Sequence, residues 1–246
     1  MTTAPSLLAL IDDAFRERGV DLARLGMAWA RATPVVTLVP AFGLRALPTA
    51  ARGVLGVTLA VAIFPALPPV SALPGPLWVG LLAEVARGLP VAIAAAVPLW
   101  AATMAGGVAD ALRGSNDARP APTVEGDATP LGIVFSLLAC GMFFAAGGPA
   151  RIAAALAQPM AELHPVLRAS EDIAGGITIA VALGAPLLAA SVVIEVAGAL
   201  IARAATPAQL HLLLAPLRAL ALLAILGLVL GKTSETLAAV VAHSVP

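Results

Sequence analysis

Six charged side chains stand inside or at the edges of long apolar runs: Arg31, Glu84, Arg87, Glu195, Arg203 and Arg218. A charge on a lipid-facing helix costs about 2.5–3.5 kcal/mol on insertion scales, so such residues mark either a polar path or a buried pair. Two readings stay open. In an ion-coupled small-molecule transporter, Glu84 and Glu195 would be the coupling carboxylates. In a structural role, Glu84 pairs with Arg87 one helical turn away, and Glu195 with a basic group on a neighbouring helix or subunit. The spacing favours the second, since charges one turn apart satisfy each other without a substrate. By the same reasoning Arg31 should face protein or water.

A second constellation lies in MAGGVADALRG and the loop SNDARPAPTVEGDATPL, from Met104 to Leu131. If Ala102 to Arg113 is helical, then Gly106, Asp110 and Arg113 share one face. That face carries an ion pair at the mouth of an apolar hairpin.

Little else is equipped for catalysis. His164, His211 and His243 lie in separate segments and form no HExxH pattern, and no GxSxG elbow, P-loop or GxGxxG occurs. Cys140, the single cysteine, sits in LLACGMFF as a small buried hydrophobe; one cysteine allows neither an intramolecular disulfide nor a cysteine metal cluster. The residues therefore predict no enzyme, no cofactor and no metal.

The elements that must hold these charges are apolar. Of 246 residues, 60% are hydrophobic and 11% charged, with mean hydropathy +0.99, whereas soluble domains carry roughly 25% charged residues. Fourteen basic and fourteen acidic residues cancel, so no field exists to gather nucleic acid. The first 24 residues, rich in Asp and Arg, lack the basic start and clean apolar core of a signal peptide. The composition predicts an uncleaved, multi-pass protein of a cytoplasmic-type membrane, all-α, with residues 1–246 forming one membrane domain.

Residues 1–24 read as an amphipathic lead-in. The first apolar segment, Leu25 to Phe42, contains Arg31, Pro34 and Pro40, and the second, Gly53 to Leu73, should end or bend near Pro65. Leu77 to Ala109 is too long for one span of about 20 residues, and Pro90 and Pro98 predict two short helices or one strongly bent one. A polar loop at 115–129 precedes Pro130 to Ala157, broken at Gly147 to Pro149. A polar break at Gln158 to Asp172, an apolar run Ile173 to Ala202, a break at Ala202 to Gln209, a last segment Leu210 to Gly231 and a tail at 232–246 complete the chain. Counted over six alternating passes, one side receives Arg16, Arg18, Arg24, Arg168 and Lys232, and the other Arg45, Arg52, Arg113, Arg119 and Arg203. Equal numbers leave orientation unassigned. Helices broken in almost every segment look built to pack against protein.

The order of motifs resembles the FliR/SctT family, the inner-membrane export-gate proteins of bacterial type III secretion. The likeness begins at PAFGLRALP, with Gly43 and Pro48, followed by Arg52, then Glu84 and Gly88 in AEVARG. It is most specific at AGGVADALRG, which holds Gly106, Asp110, Arg113 and Gly114, and continues through TPLG at Thr129 to Gly132 and the Gly147-Gly148 pair. Pro186, Glu195, Gly198, Arg203, Pro207, Gln209, Pro216 and Arg218 carry it to the C-terminal part. Thr206, Arg218 and Gln158-Pro159 depart from the usual residues. The Asp110…Arg113-Gly114 pattern and the Gly147-Gly148 pair are closer to the injectisome branch than to the flagellar one. The resemblance implies a non-enzymatic subunit built from bent, proline- and glycine-broken helical hairpins. With several copies of two smaller membrane subunits it would form a helical, multi-subunit entrance for unfolded proteins crossing the inner membrane. It would also meet the export switch protein and the export-gate ring protein, and its charged and glycine positions would serve gate packing. Asp110 and Arg113 would then be the polar end of a hairpin docked on neighbouring subunits.

Overall fold

A computed structural model describes residues 14, 15, 17, 19, 21–42, 48–67, 76–114, 117–120, 127–158, 165–204 and 216–228, with the single positions 231, 235 and 239. The lead-in at 1–24 and the tail at 232–246 lie mostly outside these residues, as do Gly43, Pro207 and Gln209.

Helix α1 spans Leu22–Leu38. The Asp21 carboxylate caps it, accepting from the amides of Ala23 at 3.0 Å and Arg24 at 3.2 Å, which satisfies two of the donors that a helix start leaves open. Helix α2, Thr49–Ile63, gives way to a 3₁₀ turn at Phe64–Ala66 that contains Pro65. The expected stop near Pro65 is therefore present, for the reason expected: proline supplies no amide to continue the ladder. Arg24 fastens this turn to α1. Its Nη2 donates to the Pro65 carbonyl at 3.0 Å and to that of Leu67, and its guanidinium lies 4.7 Å from the Phe64 ring centroid.

The centre of the fold is α3, Leu77–Leu112. Thirty-six residues at 1.5 Å each make it about 54 Å long. Of the two outcomes expected at Pro90 and Pro98, the division into two short helices does not occur; one helix runs through both. Both prolines are buried, and α1, α4, α5 and α6 all pack against this helix. Tertiary packing outweighs the local cost of two lost amide donors.

After α3, a two-residue antiparallel ladder pairs β1, Arg119–Pro120, with β2, Asp127–Ala128, inside the predicted polar loop. Thr129 caps α4, Pro130–Ala145, by accepting from the Gly132 amide, and Pro130 stands at the helix start where its missing amide is harmless. At Gly147, φ is +73°, a left-handed backbone suited to glycine. There the chain turns 65° into α5, Gly148–Ala157, matching the break expected at Gly147 to Pro149. Phe42, Phe143 and Phe144 pack edge to face around this corner, with centroids 5.8–6.2 Å apart.

Helix α6, Pro165–Ala204, starts inside the stretch read as a polar break at Gln158 to Asp172. Its charged first turns are helical, which the polarity alone did not reveal. Helix α7, Pro216–Leu228, is shorter than the predicted Leu210 to Gly231 segment, of which 210–215 and 229–230 lie outside the described residues. Among the described residues two helices are long and apolar enough to cross a membrane, or three if α4 and α5 form one bent span. Six passes, as used for the charge count, are more than these helices provide: α1 and α2 are 17 and 15 residues long, below the span length.

Candidate functional site

The buried charges fall into two clusters, one towards each end of α3. At the first, Glu84 is 1% exposed and receives two guanidiniums. Arg31 of α1 donates from Nε to Oε2 at 2.5 Å, and Arg87 pairs with Oε1. The expected Glu84–Arg87 pair is thus half of the arrangement. Arg31 also donates from Nη1 to the Leu156 carbonyl at 2.8 Å, near the end of α5. One guanidinium therefore ties α1, α3 and α5, over sequence separations of 53 and 125 residues. No local spacing announces contacts so far apart. What the sequence did signal was that Arg31, a charge inside an apolar run, needed a protein or water partner.

Gly88 explains how the helices come close enough for this. A Cβ at position 88 would lie 2.0 Å from the Arg31 carbonyl oxygen, well inside any allowed contact. The missing side chain lets the backbones of α1 and α3 cross where the charges meet.

The second cluster closes the hairpin between α3 and α4. Asp110 is fully buried. Its Oδ1 accepts from Arg113 Nε at 2.7 Å, and its Oδ2 from the Leu131 amide at 2.6 Å, in the first turn of α4. Gly106, one turn earlier, permits the crossing, because a Cβ there would stand 2.5 Å from the Leu131 carbonyl oxygen. The shared face of Gly106, Asp110 and Arg113 exists, but its polar groups are satisfied within the chain. The buried Asp110 carboxylate is engaged by the protein's own α4.

Glu195 of α6 pairs with Arg218 of α7 at 2.5 Å, so its basic partner sits on a neighbouring helix of the same chain. This pair is open: Glu195 is 53% exposed at its side chain and Arg218 37%. The Nε of Arg218 is buried and meets no acceptor among the described residues. Glu84 and Glu195 therefore do not share one polar environment. Each Glu84 oxygen is engaged by an arginine, while Glu195 lies on an outer face.

The remaining predicted positions are scattered. Pro48 precedes α2 and Arg52 lies in its first turn; Gly114 follows α3 with φ +78°; Gly147 and Gly148 form the α4–α5 corner; Arg203 ends α6; Pro216 starts α7. One crossing was not foreseen: at Gly176 of α6 a Cβ would lie 2.3 Å from Val97 of α3. Its neighbour Gly175 has open space around it, and a glycine pair in a helix does not say which member is at the contact. Among the described residues no three or more His, Cys, Asp and Glu side chains gather at one point.

The sequence profile of the family described as bacterial export proteins, family 1, matches residues 22–244. No match was found among curated proteins. The matched stretch holds both buried clusters and every helix described above. This chain belongs to the family of bacterial export proteins, family 1, and its apolar helices make it a membrane protein.

Proposed function

We propose that this chain is a non-enzymatic subunit of a type III secretion export gate in the bacterial inner membrane. With smaller membrane subunits it forms the entrance through which unfolded proteins leave the cytoplasm. The family match over residues 22–244 carries this reading. The geometry is in keeping with it: the charges of α3 fix the chain's own packing, and the apolar outer face of α6 is left for other surfaces. The chain acts as one multi-pass membrane domain, held beside the export switch protein and the export-gate ring protein. The glycine crossings and ion pairs serve packing within that gate. On the Asp110…Arg113-Gly114 pattern and the Gly147-Gly148 pair, we infer the injectisome branch.

Mild detergent extraction tests the assembly. The chain should co-purify with two smaller membrane subunits encoded beside it, and a stable, monodisperse monomer that never binds them would sink the proposal. The same gene neighbourhood distinguishes an injectisome from a flagellar system. The transporter alternative gains no observation from the arrangement of Glu84 and Glu195.

A further inference from the structure

Where α1, α3 and the end of α5 converge, two guanidiniums face one carboxylate. Arg31 and Arg87 contribute two positive charges and Glu84 one negative, so among the described residues the cluster keeps one positive charge without a counter-charge. The Arg31 side chain is 7% exposed. Its Nε and Nη1 are used by Glu84 and Leu156. A shallow cleft, open to the outside, lies alongside, lined by Arg31, Arg87, Val91, Ala155, Leu156 and Gln158. Its polar lining is two guanidiniums and a carboxamide on an apolar floor, and Glu84 does not line it.

An uncompensated charge next to apolar surface is costly unless a counter-charge completes it. The planar fork of a guanidinium matches oxyanions, offering two parallel donors to adjacent oxygens. We propose that this cleft binds a phosphate oxyanion, the phosphodiester of an anionic lipid headgroup or free phosphate. Arg31 and Arg87 supply the charge and the Gln158 amide an additional donor. One singly charged headgroup brings the cluster to neutrality.

The test is native mass spectrometry of the full-length chain in non-ionic detergent, with phosphatidylglycerol and phosphatidylcholine supplied in equal amounts and inorganic phosphate as a separate probe. Phosphatidylglycerol should be retained about fivefold over phosphatidylcholine, as expected for one basic side chain near an anionic headgroup. Arg87→Gln, at a half-exposed position, should abolish the preference. Arg119→Gln, which removes an arginine from the distant loop, should keep it. Phosphate binding sensitive to Arg87→Gln, without a lipid preference, identifies free phosphate as the ligand of the same site. Should Arg87→Gln fail to fold, Gln158→Ala, at an exposed position after α5, gives a smaller loss in the same direction. Equal retention of both lipids with no phosphate binding overturns the proposal, as does a preference that Arg119→Gln removes and the cleft variants leave intact.

Discussion

Among the described residues, the two helices long and apolar enough to cross a membrane are made for opposite surroundings. In α3, 67% of the most apolar stretch is buried inside the chain, whereas in Gly184–Ala204 of α6 only 11% is. On α3, Glu84 and Asp110 are buried and fully engaged. On α6, Glu195 is open, and Val192, Val193, Val196 and Leu200 face outward. Apolar composition alone does not distinguish these cases, because a lipid tail and a leucine side chain are equally apolar. What separates them is where the polar groups and the glycines go. The surroundings of α3 come from its own chain, whereas the outward face of Gly184–Ala204 is left open by the described residues.

Breaking the first half of this contrast should have the largest effect. Arg31→Ala leaves the buried Glu84 with the half-exposed Arg87 alone and orphans the Leu156 carbonyl. A loss of about 3–5 kcal/mol is expected, read as a lowered unfolding midpoint in detergent. Gly88→Ala forces two backbones apart and should cost about 3 kcal/mol, the upper end of overpacking. Gly141→Ala, in α4 with nothing within 4 Å of the new Cβ, is the matched control and should be neutral or stabilising by up to about 1 kcal/mol; equal losses at 88 and 141 would refute the crossing. Asp110→Ala removes a charged acceptor from the Leu131 amide and should cost about 2 kcal/mol. In a secretion assay Asp110→Ala and Arg113→Ala should reduce export, while Arg119→Ala should do little; equal secretion by all three contradicts the ranking. Val192→Asn or Val196→Asn on the open face of α6 should move the chain's own unfolding by no more than about 0.5 kcal/mol. The same changes should reduce co-purification with the membrane subunits, and if they unfold the isolated chain instead, the contrast between α3 and α6 collapses.

Local chemistry was the legible part. Pro65 ended α2, the Gly147 corner bent α4 into α5, and the i, i+3 spacing of Glu84 with Arg87 and of Asp110 with Arg113 was readable as pairing. Two kinds of feature were not. Pro90 and Pro98 suggested a break because their cost is local, while the packing that repays it comes from four helices distant in sequence. The Arg31–Glu84–Leu156 junction was hidden because contacts across 53 and 125 residues leave no periodic trace. Polarity misled at the start of α6, where charges mark a helical turn and not a loop. The ordered motifs, in contrast, carried the family across almost the whole chain, since they sample many positions at once and do not depend on any one contact.

The bond from Asp110 to the Leu131 amide also bears on what the segment between them can tolerate. It pins the two stems together, with Gly106 packed beneath, so the geometry of the hairpin does not depend on how long the intervening loop is. Loop-closure entropy grows slowly, by about 0.6 kcal/mol for each doubling of length. The span around 115–126 is therefore the natural place to graft an epitope or a fluorescent label, giving a handle on the protein that leaves its helical framework intact.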